Sequence, residues 1–579
     1  MPATAIIEAW GTRLDADHPF TRYGCKVQES GPAMVSAALG IGHGLEMVAL
    51  TALAEGPFTR KSGKPLTTSI RVPVERLVNG PVGARLALRV RAPGADGPRP
   101  ISLSVDRNEW CIDDQPAPAG LEELLADSRF LAQHVYAVAT ATLQAFEVTL
   151  GRRMGWASGH RLVISVYDKV PYASTGYDRE RGLIRFGHRT DDRSKRSVPL
   201  ALYHDLVAHE VTHAVLDGYR RLWTDGDALL DGYAMHECIA DLVAMLSVFS
   251  SPERVEQQLS VAVPGPDGRR GGVAARNMEK EVLASGLFGL ADGLFSRGAA
   301  RRPLDMDVPF EWRLDPEPHR RGEIAVKAVL DAVVKLWLQR LEKPGGRSSR
   351  YQVAEAGAHL GHQMLGMVLR GLAYMPPVDP GWEDLLRGIL AADAVLVPTD
   401  MMGYRQAVRD AFWDIDLSTE PDELLDGLKH LRDLRYPVRL SALAADPEEV
   451  NRFMWENPRL IEAAGIDQDT STVVSRVRPS TRVGPDGFVV SEIGASYVQS
   501  VTMSKSEARN KLGLRVDSDY YTVRGGGLLR FDEGGRLCFA ALKPVMDAEW
   551  QQEKLETIKR EAGVKMPTAT YHPEDERRE

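Results

Sequence analysis

The chain has 579 residues, 44% hydrophobic and 26% charged, so it can bury a normal core, and its length suggests roughly three or four domains. Its formal net charge of −9 and pI of about 5.9 argue against non-specific attraction to nucleic acid or to an anionic membrane. The four cysteines, Cys25, Cys111, Cys238 and Cys538, lie far apart without a CxxC pair, so reduced thiols are expected. The opening MPATAIIEAWGTRLDADHPF lacks a basic start followed by an apolar run, and no uninterrupted apolar run of about 18 residues appears. The expectation is a cytoplasmic protein with neither a nucleic-acid nor a membrane partner. Its oligomeric state is not legible.

Up to about residue 124 the pattern is β-rich. Segments 69–74, 85–90 and 101–105 alternate or run apolar between Gly and Pro turns, which predicts a small N-terminal α/β domain over 1–124. A helical period then starts near Asp127 and runs to Leu150. Residues 161–166 read as a strand, and 172–186 as a hairpin or edge strand. Helices are expected over 200–220 and 234–249, followed by an exposed loop at 264–272. Apolar spacing of three and four predicts further helices over 322–342, 351–374, 382–395 and 402–414. From 417 to 579 a mixed region is expected: an acidic, loop-rich stretch, then β-hairpins near 487–490 and 528–542, a charged helix over 547–561 and a solvated tail. Gly525, Gly526 and Gly527 lack the Lys-Ser/Thr of a phosphate loop and read as a bend.

One constellation carries chemistry. In AHEVTHAVLD, His209 and His213 stand at i and i+4 and share one helix face. Two imidazoles one turn apart suit one zinc ion, and Glu210 falls within reach of a water at that metal. An HExxH arises by accident in roughly one such chain in fifty, so the surroundings decide. Leu206, Val207, Val211, Ala214 and Val215 flank the motif and mark a buried helix. Burying two histidines and a glutamate there costs several kcal/mol unless they are paired or metal-bound. Downstream, in AMHECIADLVAML, Glu237 and Asp241 again stand at i and i+4. Glu237 supplies the third protein ligand that a catalytic zinc wants. Asp241 falls where it accepts a hydrogen bond from the far nitrogen of a ligand histidine.

HExxH followed by Glu-x-x-x-Asp on a second helix resembles the zinc-binding helix pair of the thermolysin family of gluzincin peptidases. The resemblance covers about 127 to 415. It implies His209, His213 and Glu237 as zinc ligands, Glu210 as general base, and Asp241 and Asp217 as supporting carboxylates. It also implies an α+β, two-lobed peptidase domain over 125–416, with an α/β lobe carrying an edge strand, then a helical lobe, and zinc in the cleft between them. Two weaker matches follow. His319, in PEPHRRGE before a long helix, resembles the family histidine that stabilises the oxyanion, with Asp315 or Glu317 orienting its ring. YASTGYDRERGLIRFG resembles the substrate-pairing strand, with Ser174 and Thr175 near the usual side-chain contact.

Rival zinc classes fit less well, since a metzincin needs Gly and His where Leu216 and Tyr219 stand, and no GxMEN segment lies upstream. Departures exist too. The loop between His213 and Glu237 holds 23 residues, a few more than is usual. His236 replaces a customary Asn and is a rival ligand, and the oxyanion tyrosine has two candidates, Tyr219 and Tyr233. The expected activity is that of a zinc metalloendopeptidase acting on peptides or proteins. The alternative is a non-catalytic zinc-binding or scaffold module, against which the intact Glu210 argues.

Overall fold

The computed structural model describes residues 47–90, 101, 112–166, 175–190, 196–225, 228–262, 288–289, 301–341, 349–418, 431, 433–436, 446–484, 487 and 489–561. Helices and strands mix in an α+β arrangement. β1 (Met47–Leu53) and β2 (Thr67–Pro73) form an antiparallel pair. β3 (Leu86–Val90), β4 (Leu162–Val166), β5 (Thr175–Asp178) and β6 (Leu183–Phe186) form one sheet in the order β3-β4-β6-β5. β3, β4 and β6 run parallel, and β5 lies antiparallel at the edge. Helix α1 (Ser128–Leu150) packs on β3 and on β1.

Local chemistry explains why α1 forms where the period predicts. The Asp127 carboxylate accepts from the backbone N–H groups of Arg129 and Phe130 at 2.9 and 3.0 Å, a standard N-cap. Gly151 closes the helix in the left-handed region.

The N-terminal strands do not stand apart as a domain of their own. β3 is hydrogen-bonded to β4 along its full length. One apolar core runs from Val48 through Leu88, Val135 and Ile164 to Leu417. The boundary expected at 124 falls inside this body because a strand as short as β3 buries its apolar face only against α1 and β4. The expected strand at 101–105 and loop at 264–272 lie, apart from Ile101, outside the described residues.

Three long helices build the middle of the body: α2 (His204–Arg220), α3 (Leu230–Phe249) and α4 (Pro318–Leu341). α3 begins four residues before its expected start, with Glu561 accepting from the Leu230 N–H at 3.1 Å. It is long and apolar enough to cross a membrane, but nearly all of it is buried in the core, and it carries Glu237 and Asp241. α4 also begins earlier than expected, at Pro318, since proline is well tolerated in the first helical turn. The Glu317 carboxylate accepts from the N–H groups of His319 and Arg320 at 3.2 and 2.7 Å and closes the helix start. α5 (Arg350–Gly371), α6 (Trp382–Leu396) and α7 (Tyr404–Trp413) complete the helical part close to their expected bounds.

The C-terminal region holds a four-stranded antiparallel meander: β7 (Val473–Val483), β8 (Val489–Ser504), β9 (Tyr520–Phe531) and β10 (Leu537–Lys543). α8 (Ala548–Glu561) follows it. The three glycines expected to make a bend lie inside β9. A Cβ on Gly527 would sit 2.6 Å from the Tyr497 hydroxyl oxygen and 2.7 Å from its ring. They serve close strand approach, not a turn. β7 falls in the stretch expected to be loop, since its arginines and serines hide the alternation.

Candidate metal centre

Packing of α2, α3 and α4 brings the sequence-distant residues together. α3 lies against both α2 and α4. Gly322 makes the second approach close, since a Cβ there would sit 2.7 Å from the Ala234 carbonyl oxygen. That proximity carries His319, one turn earlier, to Glu237.

His209, His213 and Glu237 are buried and converge as one potential metal group. His209 Nε2 and His213 Nε2 are 3.1 Å apart. Glu237 Oε2 lies 3.4 Å from His209 Nε2 and 3.5 Å from His213 Nε2. The three ligand atoms stand close enough together for one metal ion to lie among them.

The protonation pattern supports the same conclusion. His209 Nδ1 faces Asp241 Oδ1 at 2.9 Å, so in the singly protonated ring Nδ1 carries the proton and Nε2 presents a lone pair. That lone pair points at another imidazole nitrogen and a carboxylate oxygen, an arrangement that a cation between them makes favourable. Burial opposes charge on the His209 ring, but the Asp241 and Glu237 carboxylates outweigh it and hold its pKa up to about 9. The pocket attracts positive charge.

Asp241 is held in turn. Arg301 Nη1 lies 2.6 Å from Asp241 Oδ2. Burial pushes the Asp241 carboxyl up, but Arg301 and His209 win and keep it below the usual range. Arg301 is a residue that sequence reading missed. It lies in GAARRPL, 60 residues beyond Asp241, with no motif to mark it.

Glu210 is buried on the same helix. Burial raises its carboxyl pKa against the pull of His209 and His213. Such a group exchanges a proton more readily near neutral pH than an exposed glutamate does.

His319 is buried too, in the first turn of α4 rather than in a loop before it. Its Nδ1 lies 2.6 Å from Glu317 Oε1 and its Nε2 3.1 Å from Glu237 Oε2. Glu317 is therefore the orienting carboxylate of the two that sequence left open. Burial opposes charge on the ring, but Glu237 and Glu317 hold its pKa well above the ordinary value. A carboxylate at each nitrogen favours the protonated form of the His319 ring.

The remaining expected site residues take other places. Asp217 Oδ2 accepts from Tyr177 Oη at 2.9 Å, and its Oδ1 lies 2.7 Å from Arg179 Nη2. It ties the edge hairpin to α2 instead of supporting a ligand histidine directly. Thr175 begins the edge strand, and its buried hydroxyl meets no partner among the described residues. Ser174 lies outside them. His236 stacks on His213 with ring centres 5.8 Å apart and meets Trp223 edge-on, while burial drives its pKa well below the ordinary value. It is not a member of the converging group. Tyr219 Oη faces the Leu372 carbonyl at 3.5 Å, and Tyr233 Oη donates to Thr224 O at 3.2 Å. Of the cysteines, Cys238 and Cys538 are free thiols, and Cys25 and Cys111 lie outside the described residues.

No protein-family model matches this chain, and no curated protein matches it.

Proposed function

We propose that the chain is a zinc-dependent endopeptidase of the thermolysin type, its two lobes meeting at the centre described above. The observation that carries this reading is the convergence of His209, His213 and Glu237, with Glu210 buried next to His209 on the helix of the two histidines. A structural zinc site has no use for a buried glutamate beside its ligands.

His209, His213 and Glu237 would hold the ion. A bound zinc supplies Lewis acidity toward the scissile carbonyl and lowers the pKa of water. Glu210 takes the proton of the attacking water and passes it to the leaving amine. His319, held as an imidazolium by Glu317, offers positive charge to the developing oxyanion. The outer edge of β5, which no strand among the described residues covers, pairs with an extended peptide through backbone groups. Asp241, anchored by Arg301, keeps the His209 tautomer that binds metal.

Metal analysis and peptide cleavage on one preparation test the reading. About one zinc per chain is expected, with cleavage abolished by a chelator and restored by zinc. Full cleavage by metal-free protein would contradict it. Stoichiometric zinc with no cleavage of any unfolded protein substrate would favour the non-catalytic module.

A further inference from the structure

Beyond the metal ligands, the C-terminal end of α2 meets a group of arginines that the peptidase reading does not use. Three guanidinium carbons surround the Tyr219 ring: those of Arg220, Arg478 and Arg152, at 4.3, 4.4 and 4.7 Å from its centre. Arg476 stands two residues before Arg478 on β7, on the same strand face, and donates to the Gly218 carbonyl. Among the described residues no carboxylate forms an ion pair with any of these four. The nearby carboxylates are engaged elsewhere: Asp217 by Arg179, and Glu492 by Arg482 and Arg530.

Neutral groups meet the arginine donors instead. Arg220 donates to the Leu372 and Met375 carbonyls at 2.6 and 3.1 Å. Arg478 donates to the Tyr219 carbonyl at 3.3 Å. Arg220 is 5% exposed. Its Nε, like Arg478 Nη1, is buried without a partner among the described residues. Bringing guanidiniums together without a counter-charge is costly, and it shifts the groups that titrate there. Burial and the neighbouring Arg152 bring Arg478 down to about 8. Burial pushes the Tyr219 phenol up, but Arg220, Arg152 and Arg478 outweigh it and bring it to about 7. The cluster is short of negative charge, and it opens to solvent through Arg476, Arg152 and Arg478.

We propose that Arg152, Arg220, Arg476 and Arg478 form a binding site for a small phosphate-class oxyanion, seated between β7 and the C-terminal end of α2. Planar guanidinium forks match the oxygens of a tetrahedral anion and bind them with charge-assisted hydrogen bonds. Four positive groups without carboxylates select for charge, and the half-enclosed position selects for small size. The site is distinct from the metal centre, since Tyr219 stands six residues beyond His213, about 9 Å along the helix axis. An anion there would link the C-terminal sheet to the helix that carries His209 and His213.

Calorimetric titration of the full chain with inorganic phosphate, at constant ionic strength set with chloride, tests the proposal. Saturable binding is expected, with competition by sulfate. Arg478→Gln should weaken it about ten-fold or more, the effect of one lost charge-assisted bond. Arg152→Gln, a substitution at a half-buried side chain, should do the same and covers the case in which the first variant folds poorly. Phosphate should also reprotonate Tyr219 and reduce tyrosinate absorbance, an effect absent in Tyr219→Phe. Three results would overturn the proposal: no saturable phosphate binding by the unaltered chain, binding undiminished in both arginine variants, or an acidic peptide that binds where phosphate does not.

Discussion

Two charged clusters, one buried and one half-enclosed, share the helix His204–Arg220, and they are assembled in opposite ways. At the metal centre carboxylates surround imidazoles, and the group attracts a cation. At the arginine junction the guanidiniums of Arg152, Arg220 and Arg478 surround one phenol, with Arg476 on the neighbouring Gly218 carbonyl; they are drawn from three distant parts of the chain, and the group attracts an anion. The comparison teaches that burial alone does not set what a site binds. The sign of the charge left unmatched does.

The comparison predicts a stability profile with two limbs. On the acid side stand His134 and His204, which flank the start of the metal helix. His134 Nδ1 accepts from Leu53 N, and His204 Nδ1 lies against Leu53 O, each at 3.2 Å. Both rings are neutral in the fold. Burial, with His204 beside it, lowers His134 to about 3, and burial lowers His204 to about 4. The unfolded chain titrates these rings near 6.5. Below that pH the unfolded state binds protons that the native state refuses. Stability should therefore fall as pH drops from about 6.5 toward 4, by about 1.4 kcal/mol per pH unit for each ring. Denaturant midpoints across that range check it. A flat profile would mean that the rings are solvated, and that the two ends of the helix do not differ as described.

A smaller effect sharpens the metal side. Asp241→Asn keeps the shape but takes the charge from His209 and Arg301. Zinc affinity should fall about 10–100-fold, read by competition with a chromogenic chelator. Unchanged affinity would remove Asp241 from the account.

The smallest effect belongs to the junction. Tyr219 is depressed to about 7 by its arginines, against about 10 in the unfolded chain. Its phenolate therefore contributes stability that grows as pH rises from 7 toward 10 and is lost as pH falls through 7. Tyr219→Phe should cost less than about 1 kcal/mol at pH 6.5, within the range of one hydrogen bond, and visibly more at pH 9. A loss independent of pH would show that the ring only packs.

Legibility in the sequence follows the same division. His209, Glu210 and His213 lie within about one helical turn, as do Glu237 and Asp241, so the spacing of the letters alone exposes them. Helix α1 is legible because Asp127 caps it and Gly151 ends it. Arg301 is not, since nothing local ties it to Asp241. Nor is β7, since VVSRVRPSTRV puts arginine and serine where a reader looks for apolar alternation, and Arg476 and Arg478 in it reach α2. The pairing of β3 with β4 spans the whole of α1 and leaves no local trace. Gly525 to Gly527 read as a bend because the neighbours that make them necessary, Tyr497 and Val545, come from other elements.

The central claim is that Glu210 moves the proton while His209, His213 and Glu237 hold the metal. Glu210→Gln, assayed for zinc content and peptide cleavage on the same sample, tests it most directly. The substitution touches no proposed ligand, so zinc should be retained at wild-type stoichiometry. The amide cannot accept a proton from water, so cleavage should fall about 10²–10⁴-fold. Cleavage near wild type with zinc fully bound would contradict the account.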